Sequence, residues 1–164
     1  FKANRIFRQF KSISTDTIAT TDIEPVIAAC RNMSQSKTGA LIVIKRNNSL
    51  EFVKSSGDAM SVAVNQPILE SIFYKNSPLH DGAMLIEGNT ITATRVILPV
   101  SDDKKIPLRF GLRHRAAVGV SEKSDAVCLV VSEENGQISY LKDGDFVLYE
   151  TLEQLTEIIH KDLS

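Results

Sequence analysis

The first residues that could do chemistry lie in the run PLHDGA, residues 78–83, where an imidazole and a carboxylate are adjacent just before an apolar stretch. Asp81 can hold a divalent cation or accept a proton from a hydroxyl group, and a neutral His80 can be a further metal ligand. Gly82 lets a neighbouring backbone approach closely. The alternative is an ordinary turn in which the Asp81 side chain bonds the nearby backbone, since Asp-Gly is common in turns. Spacing alone leaves both interpretations open.

A second candidate is the run GLRHRAAVG, residues 111–119, in which three nitrogen-bearing side chains are followed by small residues. At the start of a helix, the guanidinium groups of Arg113 and Arg115 can both reach an anion that lies ahead of the helix. The free N–H groups and the dipole at that end favour the same anion. A solvated basic turn is the alternative interpretation of this run.

A third, weaker candidate is Ser132-Glu133-Glu134, which ends an apolar stretch and can supply a metal or phosphate contact. An acidic turn that merely closes a strand is the alternative. The chain contains no Walker GxxxxGK[ST], GxGxxG, CxxC, HExxH or GxSxG motif. Any phosphate binding therefore does not use a P-loop.

Composition limits the classes of protein that can position these groups. The 164 residues suit a single core, and 43% hydrophobic, 24% charged and 6% aromatic residues are typical of a soluble globular domain. The longest apolar run, Ala126–Val131, is far shorter than the roughly 20 residues of a membrane-spanning helix. We therefore expect nothing in this stretch to cross a membrane.

Charge and cysteine content exclude further classes. With 19 basic and 20 acidic residues, the chain lacks the broad basic face of a sequence-tolerant nucleic-acid binder, so we expect no nucleic-acid partner. Cys30 and Cys128 lie far apart within apolar stretches, which predicts buried, reduced thiols and a reducing compartment. The first eleven residues, FKANRIFRQFK, are basic and apolar without the architecture of a signal peptide. We interpret the chain as a piece of a longer protein.

Helix signals and apolar runs predict the front half. Thr21 and Asp22 offer caps for a helix that should stop before Gly39. Two apolar runs, Ala40–Ile44 and Leu50–Val53, predict a hairpin. A second helix is predicted over Pro67–Lys75 from its inward apolar residues, and Pro78 prevents its extension.

Turn dipeptides divide the back half into short strands. A helix is predicted around Arg113–Val120, and a last helix begins at Thr151, where Gln154 stands at capping-box spacing.

The fold class is therefore α/β (α+β), with a mixed, largely antiparallel central sheet flanked by helices. Residues 1–15 are set apart as a tether or juxtamembrane segment, and residues 16–164 form the domain. The three turns are Gly88-Asn89, Asn135-Gly136 and Asp143-Gly144.

Two of these runs together resemble the hallmark motifs of the diadenylate cyclase family, a DGA and an RHR. Arg113 follows Asp81 by 32 positions, and both Leu98-Pro99 and the run Val131–Glu134 fit the same pattern. The resemblance covers roughly residues 16–164. Within the family, the chain is similar to the membrane-anchored bacterial type, whose cyclase domain follows three amino-terminal transmembrane helices.

The resemblance implies that two ATP molecules condense into cyclic di-AMP with release of two pyrophosphates, on a mixed sheet covered by helices. It implies a divalent metal, Mg²⁺, Mn²⁺ or Co²⁺, as the cofactor. The implied metal ligands are His80, Asp81 and Glu134. The implied catalytic residues are Asp81, Arg113, His114 and Arg115, the last three holding the triphosphate.

The same resemblance implies the substrate-binding wall. Gly82 and Ala83 would shape the wall beside the ribose, and the main chain of Leu98 would meet the adenine edge. Ser132 and Glu133 would line the phosphate end. Leu112 departs from the family pattern, which commonly has Thr there, and a Leu side chain cannot bond a phosphate. Losing such a bond would cost about 1.5 to 3 kcal/mol, enough to slow turnover without abolishing it.

Partners and location are implied in the same way. Each half-site supplies one ATP, so catalysis requires a face-to-face homodimer. The full-length protein would be anchored in the cell membrane with its catalytic domain facing the cytoplasm, while this fragment would be soluble. Family analogy suggests a membrane regulator protein and phosphoglucosamine mutase as partners. Two alternatives remain: a non-catalytic module that senses adenine nucleotides, which Leu112 favours, and a structural interaction domain.

Overall fold

The fold is described from a computed structural model, which covers residues 20–103 and 105–164. The described residues form a central sheet with helices on both faces. The helices are α1 (Ile23–Ser36), α2 (Glu51–Lys54), α3 (Gln66–Phe73), α4 (Leu112–Lys123) and α5 (Leu152–Leu163). The strands are β1 (Ala40–Ile44), β2 (Asp58–Ala63), β3 (Ala83–Glu87), β4 (Thr90–Val96), β5 (Val127–Val131), β6 (Ile138–Lys142) and β7 (Asp145–Val147).

The sheet has seven strands in the order β2-β4-β3-β1-β5-β6-β7. Strands β1 and β3 are parallel, and the other pairings among the described strands are antiparallel. The predicted fold class, a mixed and largely antiparallel sheet flanked by helices, is confirmed.

Polar caps fix the ends of the first and last helices as predicted. The carboxylate of Asp22 accepts a hydrogen bond from the N–H of Glu24 at 3.4 Å, and α1 ends at Lys37 in a left-handed conformation. The hydroxyl of Thr151 accepts a bond from the N–H of Gln154 at 3.0 Å, which caps α5. These caps satisfy N–H groups that the first helical turn leaves without partners.

The three predicted turns each join two antiparallel strands. Gly88-Asn89 joins β3 to β4, Asn135-Gly136 lies between β5 and β6, and Asp143-Gly144 joins β6 to β7. Asp143 and Gly144 have φ values of 55° and 81°, the left-handed conformations that a tight hairpin turn requires. Local turn chemistry therefore fixes most of the pairing in the back half.

The predicted hairpin of Ala40–Ile44 with Leu50–Val53 is wrong. Strand β1 is buried along its whole length between β3 and β5, and residues Glu51–Lys54 form a helical turn instead of a strand. The carboxylate of Asp125 accepts bonds from the N–H groups of Asn47 and Asn48 at 3.0 and 2.9 Å. These bonds tie the loop after β1 to Asp125, so it does not form the turn of a hairpin. Two central neighbours thus replace the local partner that the sequence indicated.

Two apolar layers cover the sheet. Helices α1, α3 and α5 pack on one face, and α4 and α2 pack on the other. Cys30 and Cys128 lie on opposite faces as buried free thiols, as predicted, and burial raises the pKa of both. Among the described helices, none combines the length and apolar character needed to cross a membrane.

Candidate functional site

Strand register brings two of the candidate runs, 81–82 and 132–134, to one edge of the sheet, the edge formed by the strand ends. Ala40 pairs with Val131, Ile42 with Met84, and Ala83 with Val96. The amino ends of the parallel strands β1 and β3 therefore lie beside the carboxyl ends of their antiparallel neighbours β5 and β4. Residues 132–134, Gly39, residues 81–82 and Ile97 follow one another along this edge.

A cavity of about 990 Å³ opens at this edge. All three candidate runs contribute to its wall, and so does Leu98. A smaller cavity of about 350 Å³, between α1 and α5, contains none of the predicted site residues. The predicted residues that line the large cavity are Asp81, Gly82, Leu98, Leu112, Arg113, His114, Ser132, Glu133 and Glu134.

His80 and Asp81 present two acceptors side by side. Nδ1 of His80 lies 2.8 Å from the carbonyl oxygen of Ser77, which can only accept, so this nitrogen carries the proton. In the neutral ring Nε2 is then a lone-pair donor to metals, and it lies 3.6 Å from Oδ1 of Asp81. A histidine that ligates a metal is commonly oriented in this way by a carbonyl.

The Asp81 side chain is 86% exposed and forms no hydrogen bond to the loop backbone within the described residues. The simple turn, in which this carboxylate bonds its own loop, is therefore not what the structure contains. Beyond the His80–Asp81 pair, no three His, Cys, Asp or Glu side chains gather into a metal site in residues 20–103 and 105–164. Glu134 lines the same cavity as Asp81 but belongs to no such cluster.

Gly82 is required by a close backbone approach, as predicted. Its φ is +88°, and a Cβ atom added there would lie 2.7 Å from the carbonyl carbon of Arg95. Arg95 also has a left-handed conformation, and its Nε lies 2.6 Å from Oδ2 of Asp58. Ala83 is buried within β3 and is not part of the cavity wall.

Helix α4 points its amino end at the cavity. Its N-cap, Gly111, has no side chain to occupy the first N–H groups, which are therefore free to bind an anion. Nη1 of Arg113 lies 3.1 Å from Oε1 of Glu133. Arg115 instead donates to the carbonyl of Ile106 at 3.4 Å and does not line the cavity. The structure thus separates the two arginines that the sequence placed together.

His114 is 6% exposed and packs against two aromatic rings. Its ring centroid lies 4.7 Å from that of Phe110 and 6.2 Å from that of Phe146. Burial, and secondarily the charge of Arg113, lowers the pKa of His114 to about 4. This residue is therefore neutral near pH 7, and its Nε2 is buried without a hydrogen-bond partner in the described part of the chain.

The loop after β4 is fixed to α4 beside the cavity. The N–H of Ser101 donates to the carbonyl of Arg115 at 3.1 Å, and the Pro99 carbonyl packs directly on Gly119, where a Cβ atom would collide with it. Leu98 is thereby held with its side chain buried at the cavity wall.

The run 132–134 forms a turn at the cavity wall. The hydroxyl of Ser132 accepts bonds from the N–H groups of Glu134 and Asn135 at 3.1 and 3.3 Å, which is ordinary turn chemistry. Glu133 pairs with Arg113, and Glu134 is exposed at the cavity. Ser132 thus builds the turn that carries both carboxylates into the site.

Sequence reasoning missed several wall residues. Ile97, Val100 and Leu108 form an exposed apolar rim, and the guanidinium of Arg109 lies 4.6 Å from the centroid of the Phe110 ring. The available signal for Arg109 was its position among the basic residues just before the RHR run. No motif marks the apolar rim, because isolated apolar residues after a strand are common.

A family model identifies the class of domain to which this fold belongs. A sequence model described as "DAC: DisA bacterial checkpoint controller nucleotide-binding" matches residues 27–146, which is more than half of the chain. The chain belongs to this family, and the resemblance drawn from the DGA and RHR runs is confirmed.

Named relatives are consistent with this membership. The chain is 45% identical over 124 residues to "Diadenylate cyclase CdaS" of Bacillus thuringiensis, covering 76% of the chain and 61% of that protein. It is 37% identical over 141 residues to "Diadenylate cyclase" of Listeria monocytogenes, covering 86% and 52%. The chain thus spans about half to three-fifths of the length of these two relatives.

Among solved structures, the chain is similar to DacA from Staphylococcus aureus, crystallised as an N166C/T172C double mutant. The TM-score is 0.83 at 41% identity, and the match covers 86% of this chain and 94% of that one. The fold described above is therefore the fold of the DAC domain.

Proposed function

We propose that the chain is the catalytic domain of a diadenylate cyclase, which condenses two ATP into cyclic di-AMP and two pyrophosphates. The observation that carries this proposal is the single cavity at which the DGA, RHR and Ser132–Glu134 segments meet. The names of the relatives support the same activity. In the proposal, residues 16–164 belong to this catalytic domain and residues 1–15 to its tether, a segment that lies outside the described residues.

The reaction is a displacement at phosphorus. The 3′-hydroxyl oxygen of one ATP attacks the α-phosphorus of the other, the bond to pyrophosphate breaks, and the hydroxyl proton leaves. Alignment and neutralisation of charge on the leaving pyrophosphate dominate such a step. The protein must therefore fix the triphosphate, remove a proton and hold the nucleoside.

The triphosphate is assigned to Arg113 and to the free N–H groups at the start of α4. The Arg113 guanidinium faces the cavity, and its planar fork matches two phosphate oxygens. Neutral His114 contributes no positive charge and orders Phe110 beside the site. Arg115 holds the loop beside the cavity. Its side chain donates to the carbonyl of Ile106, and its main-chain carbonyl accepts from the N–H of Ser101.

The 3′-hydroxyl is assigned to Asp81, whose exposed carboxylate can accept its proton directly. The paired acceptors of His80 and Asp81 fit a divalent cation, Mg²⁺, Mn²⁺ or Co²⁺, with Glu134 as a further ligand across the cavity. When bound, this metal supplies a Lewis acid that neutralises phosphate charge. Gly82, which lines the cavity next to Asp81, shapes the wall beside the ribose.

The nucleoside is assigned to the wall opposite the arginine. The main chain at Leu98 offers hydrogen-bonding groups to the adenine edge, and Ile97 and Val100 offer apolar surface to the ring. Bracing of this loop against Gly119 keeps the main-chain groups in place. Ser132 and Glu133 close the phosphate end.

The product has two identical links, so each ATP acts once as nucleophile and once as electrophile. One chain offers one such cavity among its described residues, so the active form in this proposal is a face-to-face homodimer. From the family resemblance, the whole protein is anchored in the cell membrane with this domain in the cytoplasm. A membrane regulator protein and phosphoglucosamine mutase are its proposed partners by the same analogy.

A product assay tests the proposal. Wild-type protein is incubated with ATP and Mg²⁺, Mn²⁺ or Co²⁺, and cyclic di-AMP is quantified by mass spectrometry. Asp81→Asn should lower the rate by about 10² to 10⁴, the usual contribution of a positioned proton acceptor, without a change in melting temperature. Asp145→Asn, an exposed carboxylate in β7, is the matched control and should keep the wild-type rate.

ATP binding without any cyclic product under these conditions would favour the nucleotide-sensor alternative, which the replacement of Thr by Leu112 supports. A folded Asp81→Asn variant that keeps the wild-type rate would remove Asp81 from the mechanism.

A further inference from the structure

Gly39, which no motif of the site includes, lies directly under the Arg113 side chain. It is buried and immediately precedes β1 at the edge where the cavity opens. A Cβ atom added at Gly39 would lie 2.5 Å from Nη1, 2.6 Å from Cζ and 2.9 Å from Nη2 of Arg113. The guanidinium therefore occupies the space that any other residue at position 39 would fill.

The backbone does not require glycine at this position. Among the described glycines, the left-handed φ values belong to Gly82, Gly88, Gly136 and Gly144, and Gly39 is not one of them. An alanine can adopt the conformation of Gly39 without strain. What the missing side chain provides here is room for a neighbouring group.

Glu133 limits the same guanidinium from another side. Its Oε1 lies 3.1 Å from Nη1 of Arg113, so a carboxylate and a glycine backbone together define where the fork can lie. A flexible arginine that is held in this way loses less conformational entropy when it binds a ligand. The orientation of Arg113 thus depends on Gly39, the residue just before the central strand β1.

We propose that Gly39 is a positioning residue that seats the Arg113 guanidinium against the amino end of β1, in the orientation that meets the β- and γ-phosphates of ATP. This inference rests on the proposed function for its ligand. The clashing atoms are the far end of a flexible side chain, so Gly39→Ala moves Arg113 and leaves the fold intact.

A double-mutant cycle tests this role. Affinities for α,β-methylene-ATP, whose bridging carbon blocks pyrophosphate release, and for AMP are measured by calorimetry in four proteins. These are wild type, Gly39→Ala, Arg113→Ala and the double variant. Gly39→Ala should weaken binding of the analogue about tenfold or more, as loss of one charge-assisted hydrogen bond does, and leave AMP unchanged.

In the Arg113→Ala background, Gly39→Ala should change neither affinity, because the displaced group is already absent. An equal loss with and without Arg113 overturns the positioning role, and so does a wild-type affinity in Gly39→Ala. The melting temperature of each variant identifies any general loss of folding.

A nucleotide-free readout separates this inference from the proposed function. The ¹⁵Nε resonance of Arg113 in the ligand-free protein should shift in Gly39→Ala, whether or not the wild type makes cyclic di-AMP. An unchanged resonance overturns the seating of Arg113 on Gly39. Absence of product from wild type with a shifted resonance overturns the proposed function alone.

Discussion

Nη1 of Arg113 lies 3.1 Å from Oε1 of Glu133, and both residues line the large cavity. The neighbouring arginine of the same motif behaves differently, since Arg115 turns away and bonds the carbonyl of Ile106. The two arginines therefore have different surroundings. Arg113 faces the cavity, and Arg115 faces the loop that walls it.

We expect substitution to distinguish these two arginines. Arg113→Ala should weaken ATP at least tenfold more than AMP, because AMP lacks the phosphates that the fork would meet. Arg115→Ala should weaken binding of both nucleotides to a similar extent, because it removes the side-chain bond to the Ile106 carbonyl and so loosens the loop that walls the site. Calorimetric titration of each variant with both nucleotides is the measurement. An Arg113→Ala variant that loses ATP and AMP equally would remove this residue from the β- and γ-phosphates.

Leu112→Thr should keep the rate of cyclic di-AMP formation or raise it by up to about tenfold, because a hydroxyl at the helix start can bond a phosphate. The Leu112 side chain is 74% exposed, so its removal should change the free energy of unfolding by no more than about 0.5 kcal/mol. Leu108→Thr makes the same change on the same rim away from the helix start and should not raise the rate. A severe loss in Leu112→Thr would assign that side chain a packing role.

Specific activity should rise with protein concentration while dimers are scarce and then level off, since two facing sites are needed for one ring. Initial rates from nanomolar to micromolar enzyme, with sedimentation on the same samples, measure this. Mixing Asp81→Asn chains with Arg113→Ala chains should not restore the wild-type rate, because a mixed dimer still has one defect in each half. A flat specific activity in a sample that sediments as a monomer throughout is the contrary outcome.

Acid should destabilise the wild type through His114. Its pKa is about 4 in the fold against about 6.5 in the unfolded chain, so the unfolded state binds the proton first. The contribution to stability is complete above pH 6.5 and is lost as the pH falls to 4, by about 3 kcal/mol at most. His114→Phe keeps an aromatic ring beside Phe110 and should lose this part of the pH dependence. Urea unfolding at pH 7, 5.5 and 4.5 compares the two proteins, and parallel curves would contradict the assignment.

The sequence predicted the elements whose signals are local. Caps at Asp22 and Thr151 and the three turn dipeptides depend on groups within a few residues of each other, and all of them are present in the fold. The partners of β1 depend on segments about 40 and 90 residues away, so an apolar run close by was wrongly taken as its neighbour. Strand β2 was missed because half of its residues face solvent at the sheet edge, which leaves little apolar pattern.

The candidate site divides in the same way. Runs with unusual chemistry, such as those at Asp81 and Arg113, are visible in the sequence and line one cavity. Gly39 carries no chemistry of its own, and only the register of β1 with β5 places it beside the 132–134 turn and under an arginine of α4. The different directions of Arg113 and Arg115 also follow from tertiary contacts.

The hydroxyl of Thr21 donates to the carbonyl of Gly88 at 2.6 Å, and the N–H of Asp22 donates to Oδ1 of Asn89 at 2.9 Å. The turn that receives both bonds joins the far ends of β3 and β4, at the side of the sheet opposite the cavity. A sensor chip, resin or fluorescent label coupled to the chain just before Thr21 therefore lies at the end of the sheet opposite the cavity. Immobilisation at that end leaves the mouth of the cavity open to nucleotides in solution and to a second copy of the domain.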